Sequence, residues 1–421
     1  MVLSSIATLL QVRDTAAGAG EESAEKTLYD VSPDSESTLR KRTLQLINNS
    51  LFSALAFPVT DKRLAASHVV VMRATYDITS DGTLELSGKQ APIVLNDEYF
   101  GEMNKSSVRK ESDLVPYKPK CDIIVNATAY APGGRPALGF VVGVRVNGPP
   151  GKCGEPGPVV LDKKLVVTGP RYWEKGFRGG WKLKPPTEPV ISLPLRYECA
   201  FGGECRVDRD DPDGQRVDAA FHLTEEQRAC HPDGPDSAPI AHTVCTSNPV
   251  GMGFAEQWYL DAKQVQKFPA PRIDSPDHPV ALPGEAYVPQ GYGIISKTWK
   301  DRLKLAGTYD DAWHEKRFPY LPEDFDSAFW NGAHPDMQVP HLAGNEEIIL
   351  TNLTPEGLLT FRLPDDSPGL RASYENGREE AVPVILDTLI LDPDSMKVEM
   401  VWRSVVSSNA NIATVEARPE P

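Results

Sequence analysis

Between positions 199 and 245 the chain places Cys199, Cys205, Cys230, His231, His242 and Cys245. Thiolates and imidazoles are the ligands zinc prefers, and four held tetrahedrally make a structural site. Their spacing is C-x5-C, an adjacent Cys-His pair and H-x2-C, whereas zinc ligands usually come as close pairs. Separate buried thiols account for the same residues. A second set, His314, His334 and His341, stands among Asp310, Asp311, Glu315, Asp324 and Asp326. Imidazoles beside carboxylates could serve metal-assisted hydrolysis, but acids are dense here and no spacing is diagnostic. The stretch DRDDPDG at 208–214 sets carboxylates two apart, as a calcium loop does. An EF-hand pattern fails, because Pro212 stands at its fifth position and Ala219 at its twelfth. A solvated acidic loop is the expectation.

The phosphate-binding loops are incomplete. GPPGKCG at 148–154 has a Gly-Lys, but Val146 stands where the first glycine belongs. GMGFAE at 251–256 begins like a dinucleotide loop and ends in Glu256. The chain contains no G-x-S-x-G elbow and no HExxH helix. We therefore expect no catalytic residues, no resident metal and no cofactor. The alternative carried forward is a metal-assisted hydrolase, or a metal-stabilised binding protein, using the His314–His341 region or the Cys199–Cys245 cluster.

Aromatic and arginine side chains offer a different chemistry, the anchoring of a partner protein. LPLRYECAFGG begins at 193 and LPEDFDSAFWNG at 321. They share Leu-Pro, two free residues, an aromatic, an acid, one free residue, Ala-Phe, and then Gly. Upstream, KKLVVTGPRYW (163–173) and DRLKLAGTYDDAW (301–313) share a base, a leucine, a strand-like stretch, a glycine and a tryptophan. This predicts one β-rich module occurring twice. The candidate partner-binding residues are Arg171, Tyr172, Trp173, Trp181, Tyr197, Phe201, Trp313, Phe329 and Trp330. They either line a groove between the two copies or fill two equivalent cores.

The elements that would position them are mostly strands. SHVVVMRATYDI (67–78), followed by Ser80-Asp81-Gly82 and TLELS, reads as a hairpin. Further strands are predicted at 121–134, 138–151, 163–169, 345–353, 357–364 and 384–404, most of them closed by Pro or Gly turns. In the last, Asp392-Pro393-Asp394-Ser395 suits a tight turn. Val398, Met400 and Trp402 then share one face, with Glu399 and Arg403 on the other, as in a half-buried strand. A short helix is predicted near 44–55, and helix-like pieces at LTEEQRAC (223–230) and FAEQWYLDAKQVQ (254–266). The fold class is mainly β, of antiparallel sandwich-like modules with few short helices. The predicted organisation is an acidic arm at 1–42, a β-rich module at 43–203, a loop-rich elaboration at 204–300 without its own core, and a second β-rich module at 301–421.

Bulk properties bound the function. The net charge is −15, which argues against nucleic acid and against anionic membrane surfaces as partners. No apolar run is long enough for a membrane span. The opening MVLSSIATLLQV lacks the basic residue that precedes a secretory signal's apolar run, so it reads as a helix or arm. Six irregularly spaced cysteines in 421 residues fit reduced thiols and a cytoplasmic location.

Seven phrases in order carry a resemblance: VVVMRATYDI, ESDLVPYKPKCDIIVNATAYAP, KKLVVTGPRYW, LPLRYECAFGG, NPVGMGF, LPEDFDSAFWNGA and HLAGNEEIILTNLTPEG. Together they resemble the family catalogued as domain of unknown function 2169, over about residues 45–404. The resemblance implies a role in type VI secretion, as a cytoplasmic adaptor or chaperone. Its partners would be a toxin effector and the secretion spike, formed by VgrG-type and PAAR-type proteins. It implies no catalytic residues, and the arm at 1–42 lies outside it.

Overall fold

A computed structural model describes residues 44–151, 155–365, 367–408 and 412–418. The arm predicted at 1–42 lies outside the described residues. The chain is built on the strand Ala66–Ile78, which is 13 residues long. It pairs with Ser53–Thr60 on one side and Lys397–Ser407 on the other, both antiparallel. Ile385–Asp392, Cys121–Val125 and Gln338–Val339 extend this into a seven-stranded sheet that also takes in Leu84–Leu86. A five-stranded sheet runs in the order Ile273–Asp274, Val159–Thr168, Gly139–Asn147, Glu347–Thr351, Leu358–Arg362. A four-stranded sheet joins Gln45–Asn48, Ile412–Arg418, Gly369–Tyr374 and Glu379–Val382.

One face of the long strand serves two cores. Val70 and Met72 pack with Leu370, Ala372, Val415 and Ala417 of the four-stranded sheet. Ala74 and Tyr76, on the same face further along, join the large core. There Ile123, Met400 and Trp402 meet Val142, Val144, Leu165, Ile348 and Phe361 of the five-stranded sheet. Side chains alternate between faces at every residue, so equal parity puts all four on one side.

The fold is mainly β and sandwich-like, with short helices only. Most pairing is antiparallel, but Ile385–Asp392 runs parallel to Cys121–Val125, and Gln45–Asn48 runs parallel to Ile412–Arg418. Strands from 43–203 and from 301–421 interleave in both large sheets. The predicted strands at 67–78, 121–134, 138–151, 345–353, 357–364 and 384–404 all appear, as does the Asp392 turn, where the Asp392 side chain accepts from Ser395 N–H. The helices within 223–230 and 254–266 appear as Glu225–Ala229 and Gln257–Ala262.

Three expectations are corrected. The stretch 44–55 is strand, not helix. Asn48 Oδ1 caps a tight turn by accepting from Ser50 N–H at 3.1 Å, and the flanking strands then pair with sheets. The stretch after position 300 is helix, Lys300–Leu303, not strand. Arg302 and Ala306 bury one face at helical spacing. The middle region has a small core of its own, in which Cys205, Val207, Trp258 and Leu260 pack together.

Candidate functional site

Every predicted anchor has a defined neighbourhood. Trp173 is fully buried, 5.2 Å from the Phe268 ring, and its indole N–H donates to the Ala281 carbonyl at 3.3 Å. Arg171 is buried beside it and pairs with Asp274 at 2.9 Å. Trp181 stands edge-on to Phe268 and is half-buried. Tyr172 is half-buried under Lys267, whose Nζ lies 4.0 Å from the ring centroid. Tyr197 enters the large core against Trp299. Phe201 packs with Trp173, and Phe329 and Trp330 pack with Phe325 in a further cluster. Trp313 is buried against Tyr309 and donates to the Tyr320 carbonyl at 2.8 Å. Trp173 and Phe201 share one apolar cluster, Phe329 and Trp330 another, and Tyr197 belongs to the large core.

The two copies of the phrase each turn once, but two residues out of register and in different surroundings. Each copy holds one short 3-10 turn, Tyr197–Cys199 and Ser327–Trp330. In each, a donor side chain grips the carbonyl of the phrase's second aromatic residue. Asn248 Nδ2 donates to Phe201 O at 2.9 Å, and Arg302 Nε donates to Phe329 O at 3.0 Å. The first copy enters from the strand Ser192–Pro194, whereas the second enters from a turn in which Phe325 N–H donates to Pro322 O at 3.2 Å. AFGG and NPVGMGF interlock: Phe201–Gly202 runs parallel to Met252–Gly253, and Gly203 N–H donates to Asn248 O at 2.9 Å.

The second face of the seven-stranded sheet holds the least expected feature. Glu399 and Arg403, predicted to face solvent, are buried. They join a network covered by the chain between 90 and 120. Arg73 clasps Asp113 with two bonds, of 3.0 and 2.8 Å, and also pairs with Glu399. Lys110 reaches Glu399 at 2.6 Å, and Arg403 pairs with Asp387 and donates to Asp113 O at 3.0 Å. Lys118 Nζ lies 2.7 Å from Asp122 and 2.8 Å from Thr388 Oγ1. Asp122 also accepts from Asn331 Nδ2 at 3.0 Å and from the Gly332 and Ala333 N–H groups at 2.9 and 3.3 Å. Beside them Glu111 pairs with Arg302.

Burial opposes the charges on Arg73, Lys118 and Glu111, yet the partners win. Arg73 is held above its ordinary pKa by Asp113 and Glu399, and Lys118 by Asp122 and Asp387. Glu111 is held below its ordinary value by Arg302 and Lys297. Removing one member of such a set leaves an uncompensated buried charge. The signal available in sequence was a lone charge inside an apolar run, Arg73 in VVVMRATYDI and Glu399 in KVEMVWRS.

Arg302 and Asn331 also line a cleft of about 330 Å³, with Ser247, Tyr287, Val288 and His334. His334 Nδ1 accepts from Lys163 Nζ at 2.8 Å and from the Asp336 N–H at 3.2 Å. The ring proton therefore sits on Nε2, which is buried near Pro289 with no hydrogen-bond partner among the described residues. Burial, and then the Lys163 charge, push His334 down to about 4. Burial also pulls Lys163 down to about 8, against the pull of Asp336. The result is a neutral imidazole held by a cation at the cleft wall.

The other two histidines of that set have unrelated partners. His314 stacks on Phe318, and His341 bonds the Lys118 carbonyl. His231 Nε2 meets His242 Nδ1 at 3.0 Å, and His242 Nε2 meets Glu204 at 2.8 Å. Burial raises the Cys199 and Cys245 thiols and pushes Cys205 up to about 11, which disfavours the thiolate a metal would need. In the acidic loop Asp208 pairs with Arg206, Asp211 with Lys263 and Asp213 with Arg216. Among the described residues no group of three or more His, Cys, Asp or Glu side chains is arranged to hold a metal ion. Nor is any helix among them long and apolar enough to cross a membrane.

No curated protein and no solved structure matches the chain. A family described as an uncharacterized protein conserved in bacteria matches over residues 64–403. That span is most of the chain and takes in the five-stranded sheet, the charge network and the cleft, so the protein belongs to this bacterial family, DUF2169.

Proposed function

We propose that the chain is a protein-binding adaptor of type VI secretion, holding a toxin effector and helping to load it onto the VgrG and PAAR spike. One observation carries this reading. The polar residues of the phrases that mark the family, among them Arg73, Glu111, Asp113, Lys118, Asp122 and Asn248, bond to one another and to backbone inside the fold. These phrases thus specify a scaffold, and a scaffold acts through its surface. The anchor residues proposed from sequence are carried forward as candidates for partner contact. Tyr172 and Trp181 are half-buried and stand nearest to the surface.

Toxin delivery by a strain deleted for this chain tests the reading. Delivery should fall to background and return with the gene. Undiminished delivery would remove the proposal. Metal-assisted hydrolysis is the second reading, and the placement of His334 at the cleft is what favours it. One equivalent of bound metal that is lost in His334→Ala would move the assignment there.

A further inference from the structure

Trp181–Lys184, Arg171–Lys175 and Lys267–Ala270 form a three-stranded sheet with Arg171–Lys175 in the middle. Tyr172 lies opposite Lys184 and Pro269, and Glu174 lies opposite Lys182 and Lys267. Directly paired residues share a face. The inner face therefore carries Trp173, Leu183 and Phe268, which pack into a core cluster. The outer face carries Lys182, Lys184 and Lys267, with Glu174 as its one acid. Lys267 rests on the Tyr172 ring at 4.0 Å, and Lys184 is 3.7 Å from Glu174. This is a basic surface on a chain of net charge −15.

The hairpin tip adds an apolar anchor. Gly176 N–H donates to Gly180 O at 2.7 Å, and Gly179, at φ +90°, closes the turn. Phe177 projects from it with its side chain wholly in solvent, at 108% relative exposure, beside exposed Arg178. Exposing a whole phenylalanine forgoes roughly 2 kcal/mol of burial. The strand Trp181–Lys184 is a sheet edge, and among the described residues no strand pairs with its outer side.

We propose that this edge, with Phe177 and the lysine face, docks an extended acidic segment of a partner protein by strand addition. Basic side chains along an edge repel a second copy of the same edge, so self-pairing is disfavoured. The same charges steer and select an acidic strand. Its carboxylates would meet Lys182, Lys184 and Lys267, and an apolar side chain would cover Phe177. The inference deepens the adaptor reading and rests on it for the partner's identity.

The test uses the full chain and a fluorescent peptide of about ten residues alternating Glu and Val, a length that spans such an edge. The peptide should bind saturably, weaken with added salt, and lose roughly tenfold in affinity against the K182E/K184E/K267E variant. Phe177→Ala should weaken it several-fold, and an alternating Lys and Val peptide should not bind. The altered lysines are exposed, and unchanged circular dichroism confirms that the variant folds. Equal affinity for wild type and triple variant, or no saturable binding up to about 1 mM, would overturn the proposal. Self-association of the wild type that the triple variant abolishes would assign the edge to a second copy and also overturn it. Peptide binding is read on purified protein and toxin delivery in cells, so failure of the one is distinguishable from failure of the other.

Discussion

Arg73 is almost wholly buried, and it satisfies two carboxylates at once, Asp113 and Glu399. Arg73→Met removes the cation and leaves both acids inside the fold. We expect a loss of about 3–5 kcal/mol in urea denaturation, the usual range for breaking a buried pair from one side. A loss below about 1 kcal/mol would mean the network is solvated. His334 gives a second residue-scale prediction. The unfolded chain protonates this imidazole near 6.5, and the folded chain only near 4. Between those values the unfolded state holds more protons, so stability falls as pH drops through that window. The shift is worth up to about 3 kcal/mol. His334→Asn keeps an acceptor for the Asp336 N–H and removes the titration. It should flatten this acid limb between pH 6.5 and pH 4 in urea midpoints; an unchanged limb would place the titration elsewhere.

At the scale of elements, the crossing of AFGG with NPVGMGF depends on missing side chains. A Cβ on Gly202 would stand 2.2 Å from Asn248 O, and one on Gly253, at φ +88°, would stand 2.6 Å from Pro271. Either alanine substitution should cost about 2–4 kcal/mol, because backbone and ring must both move. Gly133, at φ +63° with nothing near its Cβ position, is the control. Gly133→Ala should cost only about 1 kcal/mol, and thermal unfolding of the three variants gives the ranking. Strand positions were legible in the sequence because alternation ends in Pro, Gly or Asp turns, as at Gly82 and Asp392. The stretch 44–55 was misread because its apolar residues suit either period, and only pairing with distant strands decides between them. Arg302 and Ala306 show the converse error, where a strand-like stretch takes a helical face. The repeated phrase marked two real turns, each with its gripped phenylalanine carbonyl. The stretches before the two turns differ: Gly169 directly follows a strand, whereas Gly307 stands four residues beyond a helix.

At the scale of the whole molecule, the charge network was hidden from the sequence by topology. Glu399 and Arg403 alternate with apolar residues, as in any strand with one wet face. Only the covering segment at 90–120, folded over that face, makes them interior. For the aromatic anchors, composition singles out Trp and Phe without saying which way they point. On the outside, an acidic chain carries a basic, aromatic-tipped hairpin at 171–184. The most direct measurement of the adaptor claim is the composition of the complex that a tagged full-length chain forms in its native cell, weighed intact by mass spectrometry with metal content on the same sample. The adaptor account predicts a toxin and a spike protein at near-equal stoichiometry with the chain. A chain that emerges alone, carrying one equivalent of metal, would contradict it.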